Sequence, residues 1–247
     1  MRQLTTWMGV ILTGMVMASG CGYLHYVGTL KPADEALQEA GAEISDDGTV
    51  TFMKDRLEVS LRPMTDEELN RQFAAASKSG PKSTNPYTYG NSKYWDIQKT
   101  PQRFTVFRLK VKNYQYPKAR LDPLKIIVEA DNGREYGALS LQQLKLYYGT
   151  YIVGYRGNEY DRYEKRKDIL GQTLYPGDAI FSGQEQEGYV LFPPLHPDVR
   201  RITVQVRDMV LRFDFRDEPV ETIDIRFSFE REIGRIYADD RIEFLKG

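Results

Sequence analysis

The sequence predicts a mainly β protein built as an antiparallel sandwich, and three observations carry that prediction. Apolar and polar residues alternate at Leu57, Val59 and Leu61, at Ile202, Val204 and Val206, and at Ile223, Ile225, Phe227 and Phe229. That is the period of a half-buried strand. Turn signals recur at short spacing: Asp46-Asp47-Gly48, Asp131-Asn132-Gly133, Tyr175-Pro176-Gly177-Asp178 and Arg216 to Pro219. Helical patterns are few and short. Roughly eight to ten strands at such spacing fit two packed antiparallel sheets better than βαβ units.

The elements follow in order. Lys31 to Ala42 carries a short helical pattern, with Pro32 near its start and Gly41 as its stop. Thr49 to Phe52 and Arg56 to Leu61 read as strands. Thr65-Asp66-Glu67-Glu68 has the spacing of a capping box, and Leu69 and Phe73 extend a short helix to about Ala76. Residues 77–101 hold Ser, Gly, Pro, Asn and Tyr without periodicity and read as a long exposed loop.

Phe104 to Val111 is apolar at most positions, as a central strand would be. Leu124 to Ala130 is the next strand, and Asn132-Gly133 predicts a tight hairpin into Arg134 to Ala138. Ser140 caps a helical stretch with Leu141, Leu144 and Tyr148 at helical spacing. Asn158 to Leu170 is a second, charge-rich helix stopped by Gly171. This pair, residues 140–170, reads as an insertion capping the sandwich. Ala179 to Ser182, Tyr189 to Phe192 and three alternating runs up to Phe229 complete the strands, with a mixed tail from Arg231 whose Ile236, Ile242 and Phe244 can dock.

With 247 residues the chain is long enough for one large domain or two small ones. Its formal charge is -1 and no long charge block occurs, which argues against a nucleic-acid partner. Tyrosine is abundant, at 17 residues, and tyrosine suits both strands and interfaces.

The first 21 residues have a distinct layout. Arg2 is basic, Trp7 to Met17 are mostly apolar, and Ala18-Ser19-Gly20 are small residues just before Cys21, the single cysteine. This is the pattern of an export signal. It resembles the lipobox of bacterial lipoproteins. The resemblance implies cleavage before Cys21, a diacylglyceryl group on its thiol and, with Gly22 rather than Asp following, the outer membrane. A lone cysteine in an exported chain fits, since it has no partner for an internal disulfide. The expected division is therefore a signal over 1–20, a membrane-proximal tether over 21–48, and a sandwich over 49–247.

Phe104 to Gly133, Leu174-Tyr175-Pro176-Gly177 and Gly188-Tyr189-Val190-Leu191-Phe192 together resemble immunoglobulin-like secreted domains, which place a Pro-Gly turn before a strand and a Gly-aromatic-Val strand after it. The resemblance implies the sandwich and brings no catalytic residue with it.

Chemistry-bearing motifs are absent from the rest. Of the two histidines, His25 lies beside the anchor and His196 sits in a Pro-rich loop, so no metal-ligand set forms. No nucleophile elbow or Gly-rich phosphate loop is present. Asp46-Asp47-Gly48 and Asp131-Asn132-Gly133 lack the alternating ligands of a calcium loop and read as turns. No catalytic residue, metal or cofactor is expected beyond the lipid on Cys21.

Two Tyr-rich stretches are the candidate binding surfaces. One is Tyr87, Tyr89 and Trp95; the other is Tyr147, Tyr148, Tyr151, Tyr155, Tyr160 and Tyr163, interleaved with Arg and Lys. Tyrosine offers rigid amphipathic area for protein or glycan, or the rings close the sandwich core. The expected function is a non-enzymatic, lipid-anchored envelope protein that binds a protein partner. Glycan or peptidoglycan is the alternative ligand, and a hydrolase with paired carboxylates comes third.

Overall fold

The computed structural model describes residues 24–78, 80–91, 102–154 and 158–245. In chain order the strands are β1 (Leu24–Val27), β2 (Lys31–Pro32), β3 (Ala42–Ile44), β4 (Val50–Lys54) and β5 (Leu57–Met64). The helices α1 (Asp66–Gln72) and α2 (Ala74–Ser77) follow, then β6 (Thr105–Asn113), β7 (Lys118–Arg120), β8 (Ile126–Ala130) and β9 (Glu135–Gly137). Next come α3 (Leu141–Gly154), α4 (Glu159–Thr173), β10 (Ala179–Phe181), β11 (Gln184–Phe192), β12 (Arg201–Phe213), β13 (Pro219–Glu230), β14 (Ile233–Ile236) and β15 (Ile242–Phe244).

Among the described residues every ladder between strands is antiparallel, and one isolated parallel bridge joins Leu174 to Tyr189. One sheet has the order β11-β6-β5-β4-β3. In the second, β12 is the spine. Its first half pairs with β8, its second half meets β7 at Val210 and Arg120, and its full length pairs with β13. The inner faces of the two sheets meet in the main core. Val59, Leu61, Phe107, Leu109 and Phe192 come from one side, and Val128, Val204, Val206, Ile225, Phe227 and Phe229 from the other. Phe107 joins them directly, edge-on to Phe192 at 5.9 Å and 5.3 Å from Phe229. The expected sandwich is thus present.

Its physical origin is the alternation of apolar and polar residues along each strand. Each inward residue of β12 and β13 removes its side chain from water, at about 25 cal/mol per Å² of apolar surface. The runs at Ile202–Val206 and at Val210 onward belong to one long strand. A bulge after Val206 restores the inward phase, with Asp208 at φ +53° and its N–H donating to Asp224. The Asn132-Gly133 hairpin forms as expected, with Gly133 at φ +79°.

A second core lies on the outer face of the first sheet. Phe104, Val106, Tyr189 and Leu191 point outward and meet Leu69, Tyr87, Leu144, Tyr148 and Leu170. Strand β11 is therefore buried continuously from Gly188 to Phe192, as expected for a strand covered on both faces. The helical pair does cap the sandwich, and it does so from outside this sheet. Helix α4 runs past Gly171 to Thr173, because its last turn is held by Leu170 and by the Thr173 hydroxyl donating to the Ile169 carbonyl.

Three expectations need correction. The pattern over Lys31 to Ala42 yields only one 3-10 turn, Glu35–Leu37, with a strand on each side. The turn closes at Gln38, and Gly41, at φ +89°, turns the chain into β3.

Residues 24–48, expected as a tether, are paired into the fold from Leu24 onward. Strand β1 pairs with β14, and β2 pairs with β13. Gln38 acts as a stand-in strand: its amide nitrogen donates to the Ser228 carbonyl and its oxygen accepts the Ser228 N–H.

The loop expected to be exposed over 77–101 is instead mostly buried from Ser83 to Gly90, while Lys78, Lys82 and Asn91 are exposed. Ser77, Ser83, Asn85, Tyr87 and Thr88 are each 2% exposed or less. Asn85 satisfies this segment, donating to Ser77 Oγ at 2.9 Å and accepting the Tyr87 N–H at 2.9 Å. Short polar side chains can replace water for a buried irregular backbone, so their abundance does not require exposure.

Candidate functional site

Helices α3 and α4 hold most of the expected tyrosines, and the structure divides them. Ser140 begins α3 as a reciprocal cap, its Oγ accepting the Gln143 N–H while the Gln143 side chain accepts the Ser140 N–H. From that start, Leu144, Tyr147, Tyr148 and Tyr151 fall on the inward face. Tyr148 is 1% exposed. Its hydroxyl donates to the Pro86 carbonyl and accepts from Arg103 at 3.2 Å. Burial pushes that hydroxyl up to about 12. Tyr147 and Tyr151 are half-buried, with their hydroxyls 3.1 Å apart. Tyr87 is fully buried and bonds Thr173 through its hydroxyl. Tyr87 and Tyr148 are therefore core residues, which corrects their placement on a binding surface. Trp95, Tyr155 and Cys21 lie outside the described residues.

Beneath this layer two guanidinium groups flank the Tyr148 ring, Arg166 at 5.1 Å and Arg103 at 5.5 Å. Arg103 also stacks on Tyr89 at 4.1 Å, and Arg166 donates to the Ser83 carbonyl at 2.6 Å. Burial draws the Arg166 guanidinium below its usual range. Asp66, in the first turn of α1, has its carboxyl raised by burial to about 6, with Arg103 opposing the rise. The arrangement ties α1, α3, α4 and the buried loop into one block. Its carboxylates sit beside cations: Glu159 pairs with Arg162 and approaches Arg166 at 3.8 Å.

The outward side of α3 differs. Leu146 is 67% and Val153 is 92% exposed, and Gly149 sits between them with open space where a Cβ would be. With Gln142, Lys145, Thr150 and Tyr163 of α4 they line an open groove of about 400 Å³. Tyr160, 61% exposed, continues it, its ring 6.4 Å from that of Tyr163. Helix α3 is thus apolar on two opposite sides and buries only one, so it presents a surface that packing within the chain does not use. The positions at 142, 146, 149 and 153 repeat at helical spacing, a signal legible in the sequence but masked there by the tyrosines.

A second concavity, about 650 Å³, lies between residues 30–35, the turn at 44–48 and Arg62 to Glu68. Of its two cations, Lys31 and Arg62, Arg62 is occupied internally, donating to the Asp47 carbonyl at 2.9 Å and pairing with Glu68. Several other charged and titratable residues are in local contacts. Glu185 and Glu187 pair across the ladder with Lys110 and Arg108. His196 meets Asp198 at 2.6 Å in the exposed loop. Asp47 accepts the Thr49 N–H as a turn residue. Among the described residues no group of three or more His, Cys, Asp or Glu side chains could hold a metal ion. No described helix is long and apolar enough to cross a membrane.

No protein-family model matches the chain, and no curated protein matches it in sequence. Among solved structures it is similar to MPT63, a secreted protein from Mycobacterium tuberculosis. Identity is 10%, coverage is 67% of this chain and 90% of that one, and the TM-score is 0.31. Overlap of that degree carries no argument about fold or function.

Proposed function

We propose that this protein is a non-enzymatic cell-envelope module, held to a membrane by lipid on Cys21, that binds a protein partner through the outer groove of α3 and α4. The observation that carries the binding reading is the exposed apolar row of Leu146, Gly149 and Val153 on a helix whose opposite side is already buried. Apolar side chains held on a rigid element are what a partner's anchor residue can desolvate cheaply. The open space at Gly149 allows close approach of another backbone. The anchor reading is supported by the Ala18-Ser19-Gly20-Cys21 sequence and places the protein in the envelope, with the outer membrane favoured by Gly22.

The test is affinity capture from detergent-solubilised envelopes with the wild type and with a Leu146→Glu, Val153→Glu double variant. A reproducible partner with the wild type that the variant fails to retain supports the proposal. Equal retention by both would sink it.

One observation favours a glycan as a second reading. Exposed Tyr160 and half-buried Tyr163 form an aromatic pair tilted by 33°, the kind of surface on which a sugar ring can stack. Sedimentation with purified peptidoglycan sacculi, lost in a Tyr160→Ala, Tyr163→Ala variant, would favour that ligand; no sedimentation of the wild type excludes it.

A further inference from the structure

The ladder at the edge of the second sheet does not stop at the sandwich. Pro32 pairs with Phe229 and Lys31 with Glu230; the Gly28 N–H then donates to the Glu232 carbonyl at 2.8 Å. Beyond that, Leu24 to Val27 pair residue by residue with Ile236 to Ile233. One antiparallel ribbon therefore runs out of the sandwich and ends in a three-stranded platform of β1, β14 and β15.

The register sorts the platform's side chains by face. Leu24, Tyr26, Ile236, Ile242 and Phe244 share one face, all uncharged. His25, Arg235 and Glu243 stand opposite one another on the other, which also carries the paired Val27 and Ile233 at its inner end. Leu24 and Phe244 are each 53% exposed, and Tyr26 meets Phe244 edge-on at 5.5 Å. Tyr26 and Ile242 are half-buried and Ile236 is buried at 5% exposed, yet none of the five packs in the main core or in the second core.

Cys21 precedes Leu24 by three residues. Three extended residues span at most about 10 Å. A lipid on Cys21 thus keeps the start of β1 within that distance of the headgroups, too close for the platform to leave the surface. We propose that the apolar face of the platform docks on the bilayer that holds the Cys21 lipid, with Leu24, Tyr26 and Phe244 at the interface. The proposal rests on the lipid-anchor reading under Proposed function. Apolar and aromatic side chains on one face with charged ones on the other is the distribution that lies flat at a bilayer surface. The ribbon then fixes the sandwich in one orientation, where a flexible tether would let it swing.

The lipidated protein reconstituted into phosphatidylethanolamine and phosphatidylglycerol vesicles provides the test. Lipid consumes the thiol of Cys21, so Phe244→Cys and, separately, Phe215→Cys each offer one thiol for a nitroxide label. Phe215 lies beyond the far end of β13 from the platform and is 90% exposed. The label at 244 is expected to favour collisions with oxygen over a nickel chelate several-fold more than the label at 215. Equal, aqueous accessibility at both sites overturns the docking. So does spin–spin broadening at 244 that vanishes on dilution with unlabelled protein, which would assign the face to a second copy. The intact mass of the same preparation separates the two failures. An acylated chain with a water-exposed 244 label overturns the docking alone, whereas a free Cys21 thiol overturns the anchor reading and the docking with it.

Discussion

At the scale of single residues, the polar groups beneath the helical pair determine its stability. Tyr148 fills a fully buried space between two guanidinium groups and bonds both Arg103 and the Pro86 carbonyl. Tyr148→Leu removes the ring from both cations and leaves these polar groups without their partner, at a cost of about 3 kcal/mol. Chemical denaturation should show that loss. Asp66 gives a pH-dependent signature. Its carboxyl is raised from the usual 3.8 to about 6, so the folded state holds the proton more tightly than the unfolded state does. The resulting stability is fully present below 3.8 and is lost as pH rises through about 6. Asp66→Asn abolishes ionisation at this site. Its stability relative to the wild type should therefore increase between those two pH values and level off above them. A difference that is flat or of opposite slope contradicts the assigned burial.

At the scale of elements, close backbone approach and the two-sided use of α3 give separate predictions. Gly188 lies where the chain at Leu174–Tyr175 runs alongside β11, bridged to Tyr189. A Cβ there would stand 2.5 Å from the Tyr175 backbone, with no flexible side chain to yield. Gly188→Ala should destabilise by about 3 kcal/mol, the upper range for overpacking, and should lower the melting temperature accordingly. The Leu146→Glu, Val153→Glu variant should behave in the opposite way, changing stability by no more than about 0.5 kcal/mol because both side chains are solvated. A large loss of stability there would mean that the outer face of α3 is structural.

The strands around the main core were legible because one period and one phase served each of them. Ile202 to Val206 and Ile223 to Phe229 both show it. The capping box at Thr65 and the cap at Ser140 were legible for a related reason, since each bonds within the next three residues; the reciprocal bond from Gln143 came only with the structure. The burial of Ser83 to Thr88 was not legible: it depends on Asn70, Thr173 and Arg166, residues from other parts of the chain. The candidate groove was half legible. The sequence marked the right helices, but tyrosine fits core and surface alike, and only packing sends Tyr148 inward while leaving Tyr160 in water.

At the scale of the whole molecule, the parts form a sequence of layers. Two sheets share the main core, the helical block covers one outer face, and the ribbon of β1–β2 and β13–β14 carries the apolar platform beside the anchor position. The N-terminal segment is short of free chain because it is a working strand of the sheet. In the proposed arrangement, attachment at Cys21 sets the platform on a membrane and thereby fixes where the α3–α4 groove points. The most direct test is the mass of the mature protein purified from envelopes. The predicted result is a chain that begins at Cys21 and carries acyl mass on it. A mature chain that begins at another residue, or one bearing a free Cys21 thiol, would contradict lipid attachment and the orientation that depends on it.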